Sequence, residues 1–106
     1  MAIITHKRGD TFELTLSLEN QGNPVDITNF TIASQIRDQD DNLVQALTVT
    51  KTDASNGQFT LTATDTQTDD WPIAKLDVDV EFVEPDTTVS SSETFNIQVI
   101  KDITRV

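Results

Sequence analysis

Apolar and polar positions alternate with a period of two along two long stretches of the chain. Over residues 11–19, Phe12, Leu14, Leu16 and Leu18 fall on one parity, and Thr11, Glu13, Thr15, Ser17 and Glu19 on the other. Over residues 74–82, Leu76, Val78, Val80 and Phe82 alternate in the same way with Lys75, Asp77, Asp79 and Glu81. A strand sends successive side chains to opposite faces, whereas a helix would scatter these residues around its circumference. Both stretches therefore predict strands with one face on a core. Shorter runs follow the same rule: Ile32, Ser34 and Ile36; Phe59, Leu61 and Ala63; Phe95, Ile97 and Val99. Residues 43–50 are apolar on both parities, which predicts a strand lying between two layers. Residues 2–6 predict a short first strand.

Turn formers punctuate these runs. Arg8-Gly9-Asp10 separates the first two strands, and Gly9 and Asp10 are expected to shape the turn that launches the second. Residues 20–24 and 38–42, Asn56-Gly57 and Glu84-Pro85-Asp86 mark further turns. Asp26-Ile27-Thr28-Asn29 reads as a side-chain-capped turn, with Asp26 accepting a backbone N–H two residues on and Ile27 pinning the turn to the core. Residues 65–70 lack alternation, begin at a cap at Thr64 or Asp65, and stop before Trp71-Pro72; they predict a single helical turn. Many short strands with frequent turns predict an all-β fold. An antiparallel, immunoglobulin-like β-sandwich of about seven strands, one domain over residues 1–106, is the first expectation. A small open barrel is the runner-up. The antibody hallmarks of a Cys pair and a tyrosine corner are missing.

Charge and composition narrow the function. Eighteen acidic against seven basic side chains give a formal charge of -11, a field that repels phosphate backbones and anionic lipid heads. Nucleic acid and membrane are therefore not expected as partners. With no Cys and one His, disulfide scaffolds, thiolate metal sites and multi-histidine sites within one chain drop out, and no cofactor is implied. Neither a basic-then-apolar leader nor an 18-residue apolar span stands in the sequence.

Candidate chemistry is sparse, and no catalytic or metal-binding residue is assigned. Arg8-Gly9-Asp10 spells an integrin-recognition tripeptide but is also ordinary turn chemistry. Asp38, Asp40 and Asn42 match the start of a calcium loop, yet the Gly and Glu positions that should follow are Leu43 and Val49. Asp77, Asp79 and Glu81 share one strand face, and carboxylates two residues apart lie about 6.5–7 Å from each other, as in inverting glycosidases. No aromatic walls accompany them, and a solvated outer face is the expectation. His6 lies next to Lys7 and Arg8 and is expected to be exposed on an edge strand. Trp71 is expected to plug one end of the sandwich. Arg37 is expected to pair with nearby carboxylates.

Three segments carry a family resemblance: Lys7-Arg8-Gly9-Asp10-Thr11-Phe12-Glu13-Leu14; Pro24-Val25-Asp26-Ile27-Thr28-Asn29-Phe30-Thr31 with Gln35-Ile36-Arg37; and Phe95-Asn96-Ile97-Gln98-Val99-Ile100 closing on Ile103-Thr104-Arg105. In this order and spacing the chain resembles small tail-associated virion proteins of bacteriophages and prophages, in particular the N-terminal domain of baseplate upper proteins. The resemblance implies an immunoglobulin-like sandwich without enzymatic activity. It also implies docking to other virion proteins, as an adaptor or decoration at the baseplate or tail, the collar or the capsid surface. The chain is then expected in symmetric copies in the virion, after assembly in the bacterial cytoplasm. The terminal segments carry His6, Lys7, Arg8, Lys101 and Arg105 on an otherwise acidic body, and are expected to act as arms that meet acidic patches on neighbours. A glycan-binding module is the alternative, weakened by the shortage of aromatic residues that stack on sugars.

Overall fold

The stretch with the strongest alternation becomes the middle of the sheet. In the computed structural model, which describes residues 3–92 and 94–103, β8 (Lys75–Val83) buries Leu76, Val78, Val80 and Phe82 and turns Lys75, Asp79 and Glu81 to solvent. One side of β8 pairs along its length with β5 (Thr31–Arg37), from Thr31 opposite Val83 to Arg37 opposite Asp77. Its other side is shared. β10 (Phe95–Ile100) pairs with the first half, and the short β9 (Val89–Ser91) with the second. Between them the Ser92 N–H donates to the Val80 carbonyl at 2.8 Å, and the Val80 N–H donates to Ser92 Oγ at 3.0 Å, so the ladder has no gap.

β6 (Leu43–Asp53) joins the two layers. Its first half pairs antiparallel with β5, and its second half pairs with β7 (Gln58–Ala63). The apolar character on both parities is not matched by burial on both faces: Leu47 is buried and Val44 and Val49 are half-buried, while Leu43 and Ala46 are exposed. β7 then pairs with β2 (Phe12–Ser17), and β1 (Ile3–Lys7) lies parallel to β10 at the other extreme. The strand order is β1-β10-β8-β5-β6-β7-β2. The fold is thus all-β and mostly antiparallel, as the alternation implies. The two layers expected of a sandwich are one continuous ladder, curled nearly into a barrel with β1 and β2 at its free margins. This is nearer to the open-barrel alternative. Two segments carry pairing the alternation did not predict: β9, to which no element was assigned, and, in the segment read as a turn, the two-residue strands β3 (Glu19–Asn20) and β4 (Asn23–Pro24) around a tip with positive φ at Gln21 and Gly22. Such short strands hold too few residues to show a period.

The core is the set of inward parities. Phe12, Ile36, Phe59, Leu61, Leu76, Val80, Ile97 and Val99 are buried, and each such side chain contributes about 1.5–3 kcal/mol through lost contact with water. Ile27 is completely buried beneath its turn, which ties the loop after β4 to the core. Ser34 faces inward and donates to the Asp79 carbonyl at 2.7 Å, so no unpaired hydroxyl is buried there. The helical turn α1 (Asp65–Thr68) starts at Thr64 with a capping box: Thr64 Oγ1 accepts the Gln67 N–H, and Gln67 returns the bond to the Thr64 N–H.

Of the three glycines, Gly57 sits at the tightest approach. Its carbonyl accepts the Leu18 N–H at 2.8 Å, its φ is +74°, and an added Cβ would stand 2.5 Å from the Leu18 oxygen and 2.6 Å from the Val25 oxygen. Gly22, with φ +81°, has nothing within 4 Å of that position. Gly22→Ala is expected to cost about 1–2 kcal/mol, from the left-handed backbone alone. Gly57→Ala is expected to cost clearly more, because two backbone carbonyls must move. Urea unfolding of both variants measures this, and equal losses would contradict it.

Candidate docking seam

β1 and β2 are consecutive strands joined by a tight turn, yet they do not pair. The turn closes with the Asp10 N–H donating to the Lys7 carbonyl at 3.2 Å, and Gly9 supplies a φ of +90°. Thr68 of α1 clamps it. The Thr68 hydroxyl accepts the Gly9 N–H at 3.1 Å and donates to the Asp10 carbonyl at 2.7 Å. His6 Nε2 donates to the same carbonyl at 2.9 Å, and its ring lies 5.3 Å from Phe12 and 5.6 Å from Trp71. Trp71 is buried, with its indole N–H donating to Gln45 Oε1 at 3.3 Å. It plugs this end of the barrel.

Away from the clamp the margins diverge. β2 keeps its bonds to β7, β1 keeps its bonds to β10, and β9 holds β8. Between them opens a cavity of about 570 Å³. Its floor is apolar: Leu14, Leu16 and Leu18 from the β2 side, Phe59 and Phe82 beneath, and Ile4 and Phe95 opposite. Serines 90–92 form one rim. The leucines of β2 are only half-buried, whereas the equivalent side chains of β8 are covered. This seam was not legible in the sequence, because a leucine alternating on a margin strand has the same pattern as one on a central strand.

The residues expected at the termini fall into two groups. His6 and Lys7 belong to β1, Arg8 to the turn, and Lys101 follows β10; Arg105 lies outside the described residues. Parallel pairing sets Lys7 opposite Ile100, and the Arg8 N–H donates to the Ile100 carbonyl at 2.9 Å. Lys7, Arg8 and Lys101 are thereby gathered at one end of the sheet. The first of the expected arms is accordingly a paired strand, with Ile4 turned toward the seam. His6, expected to be exposed, is half-buried because the Phe12–Trp71 cluster covers its ring.

Most of the remaining candidates are occupied by their own loops or by neighbouring side chains. Asp26 Oδ1 accepts the Thr28 N–H at 2.9 Å and the Thr28 hydroxyl, while Thr28 and Asn29 form the tip of a turn closed by the Phe30 N–H on the Ile27 carbonyl. Asp38 accepts the N–H groups of Asp40 and Asn42 and the Asn42 side-chain amide, so its oxygens organise the hairpin tip. Asp77 accepts from Asn96 Nδ2 at 2.7 Å and Gln39 Nε2 at 3.1 Å; Asp79 is exposed. Arg37 reaches the Asp41 carboxylate at 3.9 Å and donates to Gln35 and to the Asp41 carbonyl. Among the described residues no helix is long and apolar enough to cross a membrane.

No protein-family model matches the chain, and neither does any curated protein. A solved structure does. The N-terminal domain of phage TP901-1 ORF48 superposes with a TM-score of 0.66, at 16% identity, over 94% of this chain and 86% of that one. The fold is one found in a phage protein. At this identity the likeness speaks for the fold alone.

Two outcomes follow from the clamp and the turns. Thr68→Val removes one hydroxyl that serves both Gly9 and Asp10, and is expected to cost about 1–3 kcal/mol in thermal unfolding. The Thr28 hydroxyl and N–H hold the Asp26 carboxyl below the usual aspartate range; Asn42 does the same for Asp38, and Thr88 for Asp86. A depressed folded-state pKa means that the unfolded chain binds more protons, so this stabilisation is present above the ordinary value and lost as pH falls through the folded one. Stability is expected to drop below about pH 4. The Asp26→Asn, Asp38→Asn, Asp86→Asn variant should show a shallower acid limb in denaturant titrations.

Proposed function

We propose that the chain is a non-enzymatic structural protein of a bacteriophage virion that works by docking to neighbouring virion proteins. The observation that carries this reading is a fold shared with the N-terminal domain of phage TP901-1 ORF48 over 94% of the chain. The resemblance of residues 7–14, 24–37 and 95–105 to tail and baseplate proteins supports it independently. The site chemistry agrees. Its candidate carboxylates are engaged by their own turns, held by neighbouring amides as Asp77 is, or solvated; its one histidine donates to a backbone carbonyl, and what lies open is an apolar seam with unpaired margins among the described residues. Docking is the work such a surface can do.

Two surfaces divide that work. The cationic end formed by Lys7, Arg8 and Lys101 suits an acidic patch on a neighbour, and its mixture of N- and C-terminal residues depends on β1 pairing with β10. The seam suits an apolar element. The resemblance favours a baseplate or tail station, where the symmetry of the particle would set multiple copies. Nothing favours the glycan-binding alternative, since the only tryptophan is buried and cannot stack on a sugar face.

Quantitative mass spectrometry of purified particles tests the reading. The polypeptide should be present in a fixed ratio to the major capsid chain, and its absence would overturn the proposal. Lys7→Glu, Arg8→Glu and Lys101→Glu together leave the paired backbone of β1 in place, and are expected to lower incorporation by about tenfold, the equivalent of about 1.4 kcal/mol in docking. Undiminished incorporation would remove the cationic end from the interface.

A further inference from the structure

The seam has a feature that an apolar cavity for a small molecule does not need. The Leu18 N–H donates to Gly57, and Leu18 stands in register with it as Leu16 does with Phe59 and Leu14 with Leu61. In an antiparallel ladder alternate residues turn their N–H and C=O groups to the partner. Phe12, Leu14 and Leu16 therefore spend theirs on β7, and Glu13, Thr15 and Ser17 turn theirs into the seam. Among the described residues no backbone bond reaches those three from the seam side. Facing them is β9, whose pairing is to β8. The cleft thus offers an unpaired strand margin above an apolar floor, the arrangement that accepts one more strand.

Charge selects which strand. No Lys or Arg occurs between Arg8 and Arg37, or between Lys75 and Lys101, so β2, β8, β9 and β10 carry no basic residue apart from Lys75 at the first position of β8. The charged residues flanking the seam on β2, β3, β8 and the turn after it are acidic: Glu13 and Glu19 on one side, Glu81 and the half-buried Glu84 on the other; the outward Thr15 and Ser17 are uncharged, and Lys7 stands at the far end of β1 beside the clamp. A second copy pairing through β2 would set like charges against each other, on chains of formal charge -11 each. We infer that the seam receives an extended segment of a different virion protein, in which apolar residues alternate with Lys or Arg. The apolar side chains fill the floor over Leu14 and Leu16, the basic ones meet the acidic rim, and the backbone pairs with Glu13, Thr15 and Ser17. This inference rests on the docking function proposed above and gives its partner a chemistry.

The test uses the full chain, labelled with nitrogen-15, and a capped nine-residue peptide alternating valine with lysine. The controls are a scramble of the same composition and a version with glutamate in place of lysine. The alternating basic peptide should bind at least about tenfold more tightly than either control. It should also slow amide hydrogen exchange at Glu13, Thr15 and Ser17. Ser17→Pro, which removes an outward N–H that no ladder bond uses, should abolish that binding. Glu13→Lys with Glu19→Lys changes only exposed side chains and should weaken it about tenfold, which keeps the test alive if the proline variant does not fold. Equal binding of the scramble would overturn the inference, as would protection confined to other strands. A peptide-free dimer that already protects those three amides would also overturn it by assigning the seam to a second copy. Particle composition is read separately, so a chain that is present in virions but whose seam ignores the peptide loses only this inference.

Discussion

The fold depends on one strand serving two ladders. β6 gives its first half to β5 and its second half to β7, and every other relation between the layers follows from that exchange. The covered side chains of β6 change parity along the way, from half-buried Val44 to Leu47 and Val49, while Ala46, Thr48 and Thr50 stay exposed. The register shift between Thr50 and Asp53 marks where the strand runs out of regular pairing. Without the exchange, β2 and β7 would have no strand pairing with the larger half of the sheet among the described residues.

Closing a sheet into a barrel removes its margins, and this chain stops short of closure. One end of the seam is held by Thr68, His6 and Trp71, which use a hydroxyl, a ring N–H and an aromatic plug to lock the β1–β2 turn. Among the described residues the other end has no such clamp, and the two margins part over half-buried leucines. Exposed strand margins invite association, and proteins ordinarily blunt them with lysine or proline. Here the margin of β2 carries neither, and the surrounding charge is acidic. A margin left open in this way discriminates against copies of itself by like-charge repulsion and remains available to a partner of the opposite sign.

The likeness to a phage domain at 16% identity shows how little of the sequence a fold of this kind requires. Inward parities must be apolar, and a few turns must carry Gly or Asp. Gly57 is one such position, because two carbonyls crowd the place where a Cβ would stand. Asp26 is another, because its carboxylate replaces water for the Thr28 N–H. Most outward positions remain free to vary, which is how unrelated docking surfaces come to be written on the same frame.

The amino-acid sequence by itself determined the strands whose inward residues recur at every second place, the helical turn with its Thr64 cap, the Ile27-pinned turn and the acidic body. Each of these is a local property, settled by the period of the backbone or by hydrogen bonds spanning a few residues. Only the tertiary structure decided that the layers share β6, that β1 runs parallel to β10, and that β2 and β1 are left as margins. Those outcomes depend on which strands find each other across tens of residues, and alternation is the same whichever neighbour a strand takes. For that reason Leu14 and Leu16 read as ordinary core in the sequence, and become the floor of an open seam only when the ladder ends beside them.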